Sequence, residues 1–228
     1  MTNKKPTSTT RRNFLHQGAI AAAGFMIVPR FVLGGTSPKG IRYLPPSDMI
    51  NLGMIGTGKQ AKGLANSFIG TGETRIIAAS EVYQAKAQQL LERVKTYYEK
   101  NTQFGQYSDI ALYTDFREML TRKDIDAVVI ATPDHWHAVQ AVKSAEAGKD
   151  ICCEKPLALT VKEGRAMVDA ARKYDRVFQT GSMQRSWPEF RQAAELVRNG
   201  YIGEIKHIKV NVGTPPVKYN LSAEPIPE

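Results

Sequence analysis

Met49-Ile50-Asn51-Leu52-Gly53-Met54-Ile55-Gly56-Thr57-Gly58-Lys59-Gln60-Ala61 decides the fold of this chain. Its first half is mostly apolar, the pattern of a strand buried on both faces. Residues 59–69 then carry Ala61, Leu64, Ala65 and Phe68 at helical spacing. Between the two lies Gly56-x-Gly58-x-x-Ala61. The first glycine permits a tight turn, the second lets a ligand approach the backbone, and Ala61 keeps the helix close to the sheet. A helix entered this way turns its N-terminus toward anions. A bare strand–helix turn would use the same glycines, so the flanking sequence has to separate the two readings.

Working outward, strand-like and helix-like stretches alternate. Strands are expected at 76–80, 127–131, 150–153 and 177–180, and Ala127-Val128-Val129-Ile130-Ala131 has the β-branched content of a doubly buried strand. Helices are expected at 84–100, 116–120 and 137–147, the last stopping at Gly148, and from the capping box Thr160-x-x-Glu163 to about Tyr174. This alternation predicts an α/β fold, a Rossmann-type doubly wound parallel sheet. A further helix is expected to open at Ser186-Trp187-Pro188-Glu189, read as a second capping box, and to end at Asn199-Gly200. A strand over 204–212 follows. The organisation is then a leader at 1–40, a linker at 41–48 containing Pro45-Pro46, a nucleotide-binding domain at 49–181, and the beginning of a second α/β domain at 182–228. The run Ala223-Glu224-Pro225-Ile226-Pro227-Glu228 reads as linker, and the chain as the N-terminal part of a longer enzyme.

Glu81 ends the second strand, 25 positions after Gly56. A carboxylate there accepts hydrogen bonds from a ribose diol and repels a 2′-phosphate, which favours NAD, while nearby Lys86 keeps NADP open. The cofactor-binding set is therefore the turn itself (Gly56, Thr57, Gly58, Lys59, Gln60, Ala61) and Glu81.

Three strand ends meet at one crevice in such a sheet. One carries the glycine turn. The second continues into Thr132-Pro133-Asp134-His135-Trp136-His137, and the third into Glu154-Lys155-Pro156. A carbinol that gives hydride to a nicotinamide must also lose its hydroxyl proton, and an amine at Lys155 could take it. A solvated loop lysine fits the spacing too, so both roles stay open. Glu154 is a candidate to hold the lysine or a ribose hydroxyl. His137 is a candidate cofactor or substrate contact, and Trp136 a core or pocket wall. His135 and His137 lack the further ligands a metal needs, so no metal site is expected.

Composition bounds the class. The 228 residues are 42% hydrophobic and 23% charged, ordinary for a globular protein. The net charge of +9 suggests nucleic acid, but six of the cations lie in the first forty residues, which hold no Asp or Glu; elsewhere 25 cations face 22 acids. No basic stripe interleaved with aromatics appears, and nucleic-acid binding is not expected. Cys152 and Cys153 are neighbours and are read as small buried hydrophobes, not a disulfide.

The leader has its own signal. Arg11-Arg12-Asn13-Phe14-Leu15 precedes an apolar segment from Gly18 to Val28, too short to span a bilayer. This pattern describes a twin-arginine export signal, with the export machinery as a partner and the periplasm or cell envelope as destination. Cleavage and anchoring both stay open. That route carries folded proteins, which suits a protein folded around a tightly held cofactor.

Taken together these residues resemble the Gfo/Idh/MocA oxidoreductases, the glucose–fructose oxidoreductase and inositol dehydrogenase family. The resemblance spans about 49–213 and is most specific in Ala127–His137, in Gly148-Lys149-Asp150 through Cys153-Glu154-Lys155-Pro156, and in Val177–Ser186. It implies that Lys155 is the catalytic lysine and that Gly56, Gly58, Ala61 and Glu81 bind NAD or NADP. It implies that Thr132, Pro133, His137 and Glu154 line the nicotinamide side, and that Gln184 and Arg185, with Lys155, face the substrate. Sugars and polyols are the implied substrates, and a homo-oligomer the implied state of the complete protein. Two alternatives accompany the oxidoreductase reading: an NAD-dependent glycosidase working by transient oxidation, and a non-catalytic nucleotide-binding fragment.

Overall fold

Six strands, all parallel, lie side by side in the order 3-2-1-4-5-6 when numbered by their place in the sheet's own sequence, the doubly wound order. The computed structural model describes residues 35–36, 42–45, 47–100 and 110–213. The twin-arginine motif and the run 214–228 lie outside the described residues.

The chain divides into two compact units, 1–49 and 50–228. In the first, β1 (Gly35–Thr36) pairs antiparallel with β2 (Arg42–Tyr43). The expected linker at 41–48 thus carries one short strand, which the Pro-Pro pair beside it had masked.

The second unit holds the sheet. It contains β3 (Ile50–Ile55), α1 (Lys59–Gly70), β4 (Thr74–Ser80), α2 (Gln84–Lys100), β5 (Ala111–Tyr113), α3 (Phe116–Leu120), β6 (Ala127–Ile130), α4 (His137–Glu146), β7 (Asp150–Cys153), α5 (Val161–Lys173), β8 (Phe178–Thr180) and α6 (Pro188–Arg198). Each helix forms because its apolar residues recur every three or four positions. On α1 these are Ala61, Ala65 and Ile69, and on α2 Ala87, Leu90, Val94 and Tyr98. Leu90 and Val94 are sealed from solvent and each contribute on the order of 2 kcal/mol by burial. Helices α3, α4 and α5 share a continuous core with Ile55, Ala78, Val128, Ile130, Ile151 and Cys153 from the strands. At the start of α5 the Thr160 hydroxyl accepts from Glu163 N, and the Glu163 carboxylate accepts from Thr160 N, the expected capping box.

Three expectations need correction. β5 was not anticipated: it is three residues long, too short to show a period. The strand expected at 204–212 does not form; those residues are irregular and exposed. Its alternation is real, but a strand needs a neighbour to take its amides and carbonyls, and no described residue provides one. Ser186 does not cap α6. Pro188 occupies the first helical position and its ring forces the preceding residue out of the helical region, so Trp187 becomes the cap, at φ −75° and ψ 134°, without a side-chain bond.

Candidate cofactor and active site

The parallel register sets the site. Ile55 pairs with Ser80 and Ile130, Ile130 with Cys153, and Cys153 with Thr180. The next residue of each strand leaves the sheet in one row: Glu81, Gly56, Ala131, Glu154 and Gly181. Backbone bonds hold this row together. Gly56 N donates to Ser80 O at 2.9 Å, Ala131 N to Ile55 O at 2.9 Å, Glu154 N to Ile130 O at 2.9 Å and Gly181 N to Cys153 O at 2.7 Å.

The glycine turn fits an anion. Gly56 has φ +85°, and a Cβ there would stand 2.9 Å from Thr132 N, so only glycine suits. Gly58 caps α1 with no side-chain bond, a Cβ on it would meet open space, and the first turn of α1 holds no acid. The first helical bond runs from Lys62 N to Gly58 O at 3.2 Å. The amides of Lys59, Gln60 and Ala61 therefore precede the helical ladder, and those of Lys59 and Gln60, on the cavity wall, suit a phosphate at the positive end of the helix. A cavity of about 820 Å³ opens beside this turn, large enough for a dinucleotide's adenosine half. Its wall includes Gly56, Gly58, Lys59, Gln60, Glu81, Thr132 and Pro133 from the expected set.

Other expected residues are placed off that wall. Thr57 and Ala61 are fully buried. His137 is 1% exposed and serves as a clamp: Nδ1 lies 2.7 Å from Pro156 O and Nε2 2.9 Å from Thr132 O. An N–H on either nitrogen would tie one strand-end loop to the ring. Thr132 itself donates through Oγ1 to Gln140 Oε1 at 2.6 Å.

Glu154 is 6% exposed. Its Oε1 accepts from Gln60 Nε2 at 2.9 Å and its Oε2 from Lys155 N at 3.2 Å. Gly181 makes room for it, since a Cβ there would come within 2.9 Å of Glu154 Cδ. Lys155 is exposed, and its ammonium makes no bond with a described residue. The Lys155–Pro156 peptide is cis. Gln184 and Arg185 are exposed in the 3-10 turn Met183–Ser186, whose Met183 sulfur lies 4.0 Å from Gln60 Nε2.

The sequence reading missed Tyr83, Arg117 and Gln140 on the cavity wall. Arg117 follows the unanticipated β5, and Gln140 stands one turn beyond His137 on α4; the second was within reach of helical spacing. Asp115, also on the wall, caps α3 by accepting from Arg117 N at 2.8 Å, and that bond holds its carboxyl below the usual carboxylate range. Among the described residues, no group of three or more His, Cys, Asp or Glu side chains could hold a metal ion.

A family model described as "Oxidoreductase family, NAD-binding Rossmann fold" matches residues 50–182. The chain belongs to this Gfo/Idh/MocA family. Its uncapped α1 terminus and open Gly58 are the features of an NAD-binding domain, and NAD is its cofactor. Among curated relatives, a glycosyl hydrolase family 109 protein of Shewanella baltica is 29% identical over 212 residues, covering 86% of this chain and 44% of that protein. An alpha-N-acetylgalactosaminidase of Shewanella oneidensis is 28% identical over 208 residues, with the same coverage. Among solved structures, scyllo-inositol dehydrogenase from Lactobacillus casei, with bound NAD(H) and scyllo-inositol, superposes with a TM-score of 0.57 at 26% identity, covering 68% of this chain and 43% of that one. The chain thus spans less than half the length of these proteins.

Proposed function

We propose that the complete protein oxidises or reduces a sugar or polyol, with Lys155 moving the hydroxyl proton. The observation that carries this reading is the meeting, at one edge of the sheet, of an anion-ready turn and an exposed, unpaired lysine. NAD supplies the hydride acceptor. The amides of Lys59 and Gln60 hold phosphate, and Glu154 fixes the backbone at Lys155. As the carbinol hydrogen leaves carbon as hydride with the C–H electron pair, Lys155 takes the hydroxyl proton; in the reverse direction it returns that proton. Sugar and polyol substrates are supported by the inositol bound in the similar dehydrogenase.

A second reading, glycoside cleavage by transient oxidation on a retained NAD, is favoured by the names of the curated relatives. One experiment separates the two. The complete protein is incubated with NAD and a panel of inositols and sugars, and in parallel with N-acetylhexosaminides. Net NADH formation supports the dehydrogenase. Aglycone release without net NADH supports the glycosidase, and neither product would sink both.

Export by the twin-arginine route to the periplasm or envelope is also proposed, on Arg11-Arg12 and the apolar run that follows. Arg11→Lys with Arg12→Lys should leave the protein in the cytoplasm; unchanged export would overturn it. A homo-oligomeric complete protein rests on the family resemblance and is checked by light scattering.

A further inference from the structure

The carboxylate expected to read the ribose is already engaged by the protein. Glu81 Oε2 accepts from Thr57 N at 2.9 Å and from Thr57 Oγ1 at 3.2 Å, and Oε1 accepts from Tyr83 N at 3.1 Å. A carboxylate offers about four acceptor positions, so three are taken. Thr57 is 0% exposed, so its side chain serves this contact and not the cavity. Glu81 itself is anchored, its own amide donating to Tyr113 O at 2.9 Å. Glu81 therefore ties three strand ends together: its carboxylate holds the turns after β3 and β4, and its backbone amide the end of β5.

The consequence lies in the turn. With Thr57 N turned to Glu81, the donors left for a phosphate are the amides after Gly58. Their position depends on where Thr57 is held, because Gly56 and Gly58 on either side offer little resistance to rearrangement. We infer that Glu81 is a positioning residue for the glycine turn, acting on the cofactor through Thr57 and the phosphate-binding amides, with the ribose hydroxyls a minor contact. In this chain, replacing the strand-end acid to admit a 2′-phosphate would weaken binding of both cofactors instead of exchanging one for the other. This rests on the NAD assignment.

The test compares protein variants with ligand variants on the full chain. NADH and an analogue whose adenosine ribose lacks the 2′- and 3′-hydroxyls are titrated by calorimetry against wild type, Glu81→Gln, Thr57→Val, Thr57→Ser and the Glu81→Gln/Thr57→Val pair. Circular dichroism melts confirm that each variant is folded. Glu81→Gln should weaken NADH about tenfold, the scale of one charged hydrogen bond, and should weaken the analogue by the same factor. Thr57→Val should weaken both ligands, Thr57→Ser should restore them, and the double variant should lose less than the sum of its parts. A Glu81→Gln loss confined to NADH, with the analogue untouched, overturns the inference and leaves the NAD assignment standing. A folded wild type that binds neither ligand overturns both.

Discussion

Two lysines stand six residues apart at opposite ends of β7 and have opposite fates. At the amino end, Lys149 is 6% exposed, and its ammonium donates to Arg122 O at 2.6 Å and Ile125 O at 2.9 Å. Its surroundings are equally saturated. Asp126 accepts from Asn51 N at 2.7 Å, Asp150 from Val177 N at 2.9 Å, and Asp124 from Arg122 at 2.6 and 2.9 Å. At the carboxyl end Lys155 is exposed, α1 starts without a side-chain cap, and a cavity opens. One edge of the sheet closes its polar groups on itself and the other leaves donors for a ligand. The difference teaches where to look: polar residues at the amino end all hold loops together, whereas at the carboxyl end Glu81, Glu154 and His137 do so and Lys155 is left for chemistry.

The largest expected effect is at Lys155. In the complete protein, Lys155→Ala should cut turnover by about 10²- to 10⁴-fold, the usual range for a lost acid–base group, and leave NADH affinity and melting temperature alone. An unchanged rate would remove the contrast between the two lysines. Next is Gly56→Ala. It combines a φ of +85° with a 2.9 Å approach to the Thr132 backbone; a left-handed non-glycine residue and an overpacked contact together cost about 3 kcal/mol. NADH fluorescence titration should show affinity down by about 100-fold. Binding within threefold of wild type would mean that the turn tolerates distortion.

How much of this was legible depended on the range of the interaction. The β3–turn–α1 unit was readable because its signals are local, and α2 has the expected span of 84–100. Pairings between loops were not. Thr57 and Glu81 are 24 residues apart, Gln60 and Glu154 are 94, and His137 meets Pro156 only because two strand-end loops converge. A histidine four residues beyond a strand-ending proline looks the same in sequence whether it faces a ligand or is clamped by two carbonyls. The register of the sheet decides that, and no periodicity encodes it. The strand expected at 204–212 shows the reverse limit, since Ile208, Val210 and Val212 alternate correctly yet remain exposed.

At the closed edge, Lys149→Met should lower stability by about 2–3 kcal/mol, because two carbonyls lose their donor, while NADH affinity stays put. Burial lowers the Lys149 pKa below its ordinary 10.5, partly opposed by Asp126 and Asp124. The unfolded chain then binds that proton more tightly, so stability rises with pH between the lowered value and 10.5. The neutral amine keeps its two N–H donors. The gap between wild type and Lys149→Met in urea melts should therefore widen as pH rises through that window. A narrowing gap would mean that folding favours the charged form, and that this edge is less closed than its geometry indicates.

The smallest effect concerns the two cysteines, which lie on β7 between these lysines. Burial, with Cys152 and Glu154 nearby, pushes the Cys153 thiol up to about 12, and burial followed by Glu154 raises Cys152. A thiol is reactive only as thiolate and only when reached. Cys153 is 0% exposed and belongs to the shared core of the strands and helices α3–α5. At pH 8 a disulfide reagent should therefore leave Cys153 untouched in the native chain and label both cysteines in urea. Cys152, half-buried on the opposite face of the strand, should react slowly. Rapid native labelling of Cys153 would show that β7 opens, and with it the strand that holds the closed and open edges apart.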